Sequence, residues 1–178
     1  MMTNSDDDTT RVFFALWPEQ HERRGLALWQ SELPCGARAM APGTLHATLV
    51  FLGEVERRRL EALALAAGEV SAPRFTLCFD QARYWGHNHI VYAAPLVVPD
   101  ALLQLVGELE KSLIRHRFSF DSRAYKPHVT LMRNARWSDD PLPPMKPVCW
   151  KVKDFVLLQS GRGDVNYRVL ARFPLMTP

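Results

Sequence analysis

Cysteine is scarce in this sequence. Its three residues, Cys35, Cys78 and Cys149, are odd in number, and none belongs to a CxxC or other short-range pair. That argues against a disulfide framework or a cysteine-based zinc site, so reduced thiols in a cytoplasmic protein are the expectation. An excess of either charge is also missing. The chain has 22 Lys and Arg against 19 Asp and Glu, a formal net charge of +3, which permits an anionic partner without requiring one. No apolar run reaches the roughly 20 residues of a membrane helix. The opening "MMTNSDDDTT" is acidic and polar and lacks the basic start and apolar stretch of a signal peptide. It reads as a disordered tail over residues 1–10.

What is present is an ordinary globular composition, 47% hydrophobic and 23% charged over 178 residues, enough for one domain with a real core over 11–178. "RVFFALW" reads as a strand that stops at Pro18. Leu26, Trp29 and Leu33 recur at helical spacing after that proline. A loop, "PCGARAMAPG", separates this helix from the strand "LHATLVFLG". A second helix is expected over about 55–70, and a third after Pro99, with Leu102, Leu105, Val106 and Leu109 on one stripe. Between them "PRFTLCFDQARYW" and "HIVYAAPL" read as two strands joined at "GHN". "PHVTLMR" is a further strand, followed by a Pro-rich connection and two closing strands, "CWKVKDFVLLQS" and "VNYRVLARFPL", around "GRGD". Strand–helix–strand order repeats in the two halves, and the hairpin links favour α+β with mostly antiparallel sheet. The arginine clusters at Arg23-Arg24, Arg57-Arg58-Arg59 and Arg115-His116-Arg117 read as solvated helix faces.

Two of these strands carry the chemistry. In "LHATLVFLG", His46 and Thr48 interrupt an apolar run; in "PHVTLMR", His128 and Thr130 do so at the same offset. Side chains two apart on a strand share a face, about 6–7 Å from each other. Each strand therefore presents one imidazole and one hydroxyl. A lone core histidine usually serves structure. A chance second copy of His, Thr and Leu at fixed offsets is expected in only about a few per cent of chains this long. Two imidazoles facing one cleft can divide the roles of acid and base near neutral pH. Threonine hydroxyls can donate to an anionic oxygen, an arrangement suited to in-line phosphoryl chemistry. Neither motif holds an Asp, Glu or Cys to complete a metal site, so no metal and no other cofactor is expected. His21, His87, His89 and His116 lie outside the motifs and read as surface residues.

These residues make the chain similar to the two-histidine phosphoesterases, and among them to the bacterial RNA 2′,3′-cyclic phosphodiesterases, historically called 2′-5′ RNA ligases. "RVFFALWP" resembles that family's opening strand, "LHATLVFLG" and "KPHVTLMR" its paired motifs, and "FVLLQS" with Tyr167 its closing strands. The resemblance implies two pseudo-symmetric lobes of mostly antiparallel sheet, with helices outside and a central cleft. It also implies metal-independent catalysis with His46, Thr48, His128 and Thr130 around the phosphate. Arg133 matches an arginine that follows the second motif and would bind the phosphate, although simple alternation turns it away from His128 unless the strand twists or bulges. Lys126 is a surface residue within reach of RNA.

The leading expectation is hydrolysis of 2′,3′-cyclic phosphate ends of RNA, or of cyclic nucleotides, to 2′-phosphates by a monomer acting without a membrane. His46 would protonate the leaving 3′ oxygen and His128 would deprotonate water. The sequence leaves that assignment open because the lobes are pseudo-equivalent. The reverse reaction would form a 2′-5′ linkage. Two alternatives stand beside it. One is a non-catalytic module holding a nucleotide or RNA end, which would not need two titratable imidazoles. The other is the same chemistry on a small cyclic nucleotide metabolite.

Overall fold

The computed structural model describes residues 8–33, 36–138, 140–161 and 167–177. Among these residues, ten strands and three α-helices run in the order β1 (Thr9–Leu16), α1 (Gln20–Glu32), β2 (Arg38–Ala39), β3 (Ala47–Glu56), α2 (Leu60–Gly68), β4 (Phe75–Phe79), β5 (Gln81–Trp85), β6 (Ile90–Ala94), α3 (Asp100–Arg115), β7 (Val129–Arg133), β8 (Val148–Val152), β9 (Asp154–Ser160) and β10 (Tyr167–Pro174). They form two four-stranded sheets, β10-β9-β1-β3 and β2-β7-β6-β5, with a separate pair, β4-β8. All the ladders between these strands are antiparallel. The fold is α+β with two lobes, one per four-stranded sheet. No described helix is long and apolar enough to cross a membrane.

Alternation along the strands sorts each sheet into two faces. Val12, Phe14 and Leu16 of β1 and Val91 and Ala93 of β6 enter the main core, which is continuous through both lobes and the helices. Each large apolar side chain so buried contributes about 1.5–3 kcal/mol. The opposite faces are smaller apolar patches: Phe13, Ala15, Val156 and Leu158 in the first lobe, Ile90, Tyr92 and Ala94 in the second. The helices pack crosswise in the chain. α1 follows the first strand of one sheet yet packs against β7 and β8, whereas α2 and α3 pack on each other and on β10 and β3. Gly25 lets α1 approach β8, since a Cβ there would meet a Val148 methyl at 2.9 Å.

Several boundaries differ from the sequence expectation. Thr9 and Thr10, assigned by composition to the tail, are the first residues of β1 and pair with Glu56 and Val55; residues 1–7 lie outside the described part. "PRFTLCFDQARYW" is two strands in different sheets, β4 against β8 and β5 against β6. "CWKVKDFVLLQS" likewise breaks at Lys153 into β8 and β9. Both breaks are single residues between apolar alternating runs, which periodicity alone cannot resolve. The loop after α1 contains the short strand β2. The second helix starts later than expected, because β3 runs on to Glu56 and a 3₁₀ turn at Arg57–Arg59 precedes α2. "GRGD" lies largely outside the described residues.

The expectation of unpaired thiols is overturned. Cys78 and Cys149 face each other across β4 and β8 and form a disulfide between residues 71 apart in sequence. The ladder register creates this pair, and no short-range spacing announces it.

Candidate active site

Each histidine sits one residue ahead of its strand, His46 before β3 and His128 before β7. The imidazoles are held alike. His46 Nδ1 lies 2.7 Å from the carbonyl of Thr44, and His128 Nδ1 lies 2.7 Å from the carbonyl of Lys126. A carbonyl only accepts, so both Nδ1 atoms carry hydrogen and Nε2 is the nitrogen left for chemistry. Aromatic rings set the orientation of each. Tyr167, Phe13 and Trp17 lie with centroids 4.9, 5.1 and 6.3 Å from that of His46. Trp85 and Tyr92 stand edge-on to His128 at 4.8 and 5.8 Å.

The motif strands share a second device. Phe14 pairs with Val50 and Ala15 with Thr48, leaving Leu49 as an extra residue in β3. Val91 pairs with Met132 and Tyr92 with Thr130, leaving Leu131 as an extra residue in β7. Each bulge falls on the leucine that follows the motif threonine. An inserted residue flips the alternation beyond it. The residue five places after each histidine therefore returns to the histidine's face: Phe51 in the first lobe, Arg133 in the second. A further bulge follows at Leu52, and Gly53 takes a φ of 75°, a conformation that favours glycine.

The two lobes bring these groups onto one cavity of about 180 Å³. His46, Thr48, His128, Thr130 and Arg133 all line it. So do Arg11, Phe13, Phe51 and Tyr167, with Met40, Thr44 and Ser160 completing the wall. No Asp, Glu or Cys is among them. Among the described residues, the buried Nε of Arg133 has no hydrogen-bond partner. Burial pushes the His46 pKa down from 6.5 to about 4; its Thr44 hydrogen bond opposes this, and the positive charges of His128, Arg23 and Arg133 add to it. The His128 pKa is also lowered, first by burial and then by Arg133, against its hydrogen bond to Lys126. Both shifts favour the neutral imidazole in the unliganded protein, and an anion between them would raise both.

A larger groove, about 1240 Å³, runs past the first turn of α1 and along β4 and β8. It contains no histidine, and much of its charge is already paired, Lys153 with Glu19 and Arg172 with Asp154. The chemistry-bearing side chains converge in the smaller cavity.

A model of the 2′-5′ RNA ligase superfamily matches residues 17–164. The chain belongs to the 2′-5′ RNA ligase superfamily. Within that superfamily it is 33% identical over 169 residues to the RNA 2′,3′-cyclic phosphodiesterase of Escherichia coli K12, covering 93% of this chain and 96% of that protein. The crystal structure of E. coli LigT in apo form superposes with a TM-score of 0.85 at 32% identity, over 95% of this chain and 99% of that one. The same protein complexed with 3′-AMP gives the same TM-score, identity and coverage.

Among residues outside the cavity, Arg23 departs most from its sequence reading. It is half-buried rather than solvated. Its guanidinium donates to the carbonyls of Pro18, Pro42 and Leu45 at 2.9, 2.7 and 3.0 Å and lies 4.3 Å from the centre of the Trp17 ring. It thereby clamps the backbone that leads into His46. Lys126 is exposed, and its carbonyl, not its charge, touches the site. His21, His87 and His89 are exposed, and His116 is partly covered beside Glu69.

Proposed function

We propose that this protein hydrolyses 2′,3′-cyclic phosphate ends of RNA to 2′-phosphates by paired acid–base catalysis. The observation that carries the reading is the symmetric pair of imidazoles on one cavity, each with Nδ1 tied to a carbonyl and Nε2 left free to exchange a proton. In the proposed reaction His128 Nε2 takes a proton from water as its oxygen attacks phosphorus. His46 Nε2 gives a proton to the departing 3′ oxygen on the opposite side. The P–O3′ bond breaks, the new P–O bond remains, and the product is the 2′-monoester. The lowering at His46 makes its protonated form a strong acid, which suits the donor role. The proton on His46 arrives with the substrate, because the phosphate charge favours imidazolium.

Thr48 and Thr130 donate hydroxyl hydrogens to the non-bridging oxygens, and Arg133 supplies a charge that no described side chain neutralises. The acid–base account routes no step through a metal. Run backwards with a 5′-hydroxyl as nucleophile, the same groups would form a 2′-5′ linkage. Turnover of a 2′,3′-cyclic nucleotide by chelator-treated protein tests the reading. Hydrolysis that survives EDTA supports it. Tight binding without turnover would favour a non-catalytic end-binding module, and activity restored only by added zinc or manganese would overturn the acid–base account.

A further inference from the structure

The cavity is small for its substrate. Pockets that enclose a drug-sized molecule occupy about 300–1,000 Å³, whereas this one holds about 180 Å³, room for the reacting phosphate and part of its ribose. Any RNA attached to that end must leave over the rim. One stretch of rim has an unusual charge. Arg38 of β2 stands directly opposite Arg133 of β7. Opposed residues on an antiparallel pair share a face with Cβ atoms about 4.5–5.5 Å apart, and like charges there destabilise the pair. Arg38 lies just outside the cavity lining, whereas Met40, two residues beyond it, lines the cavity together with Arg133.

Among the described residues, no Asp or Glu forms an ion pair with either arginine. Arg133 also keeps a buried Nε without a partner. The other rim arginine is engaged differently, since Arg11 lies over the Phe51 ring at 5.0 Å. Arg38 is exposed. A like-charged pair at the mouth of a cavity without carboxylates calls for anions on both arginines.

We propose that Arg38 binds the phosphodiester next to the reacting end, so that the protein selects a cyclic-ended oligoribonucleotide over a free cyclic mononucleotide. This rests on the hydrolase reading, with Arg133 on the reacting phosphate. Arg38 is the next position outward on the same face, and its long side chain reaches along the emerging strand. It is a specificity residue rather than a catalytic one: a mononucleotide offers it nothing to hold.

The test compares a short oligoribonucleotide ending in a 2′,3′-cyclic phosphate with a 2′,3′-cyclic mononucleotide. In Arg38→Ala and Arg38→Gln, kcat/KM on the oligonucleotide should fall roughly five- to twentyfold. On the mononucleotide it should stay within about twofold. The slope of log kcat/KM against log salt for the oligonucleotide should become shallower by about 0.7, the value for one phosphate contact on a single strand. Lys111→Ala removes the same charge from the exposed side of α3 and should leave both substrates unaffected. An equal loss on both substrates, or no loss on the oligonucleotide, overturns the proposal. Wild-type protein that turns over neither substrate overturns the hydrolase reading and this proposal with it.

Discussion

The side-chain amide of Gln30 donates to the Leu131 carbonyl at 2.6 Å, and Leu131 is the residue that bulges β7 between Thr130 and Met132. The same amide donates to the Met40 carbonyl at 3.2 Å, and the Met40 N–H donates to Leu131 at 2.9 Å. A buried glutamine on α1 thus props the bulge that turns Arg133 into the cavity. Gln30→Leu should lower unfolding free energy by about 1–3 kcal/mol, read by urea denaturation. It should also reduce turnover, because the strand is freed to lose its bulge. Gln30→Glu should cost more, since it sets a carboxylate against two carbonyl acceptors. Unchanged stability and turnover in both variants would show that the bulge is fixed by other contacts.

If His46 and His128 act on opposite sides of one phosphorus, Ala at either position should lower turnover by roughly 10²–10⁴-fold. The double variant should fall far short of the product of the two losses, because the pair works as a unit. Thr48→Val and Thr130→Val should each cost about 1–3 kcal/mol in transition-state stabilisation. Steady-state kinetics on a cyclic nucleotide measures all of these. Near-wild-type turnover in a single histidine variant would make that histidine structural.

Burial, then the nearby positive charges, hold the His46 pKa near 4. The sign follows directly. The unfolded chain takes a proton near 6.5, the folded one only near 4, so stability is highest above the unfolded value and declines as pH falls through that window. His46→Gln should flatten the decline in a pH series of denaturation curves. For kinetics, lowered pKa values in the free protein move the kcat/KM bell to the acid side of the kcat bell, because bound phosphate raises both imidazoles. Coincident bells would contradict the electrostatic account.

Arg23 contributes to that lowering and anchors the Leu45 carbonyl beside His46. Arg23→Gln removes a positive charge, so the His46 titration followed by NMR should move upward. A downward or absent shift would place Arg23 in a purely structural role.

The Cys78–Cys149 bond closes a loop between strands that do not line the two-histidine cavity. Reducing it should lower stability by about 2–4 kcal/mol and leave turnover intact. Thiol titration of unfolded protein should find one reactive cysteine before reduction and all three afterwards. Three without reductant would exclude the bond.

The sequence made the site's polar residues visible because the chain states them twice. His46 with Thr48 and His128 with Thr130 interrupt apolar strands at one offset, and that repetition survives without any structure. Arg133 was harder, because alternation turns it away from His128 until the bulge at Leu131 is known. Counting five residues from each histidine would have linked it to Phe51, since both occupy the same pseudo-symmetric place. Arg23 and Gln30 were hidden by distance. They sit on an amphipathic helix where Arg reads as solvated and Gln as surface, and only tertiary packing shows them bonding to backbone carbonyls near or within the motif strands. The β4/β5 and β8/β9 breaks were hidden for another reason, as consecutive apolar runs can serve two sheets with a single residue between them.

The central claim is that one cyclic phosphodiester bond is broken with the 3′ oxygen leaving. Phosphorus NMR of the products formed from a 2′,3′-cyclic-ended oligonucleotide, with EDTA present, measures it most directly. The account predicts a single new resonance, that of a 2′-monoester, which fails to appear with His46→Ala or His128→Ala. An unchanged cyclic resonance with wild-type protein, or a dominant 3′-monoester, would contradict it.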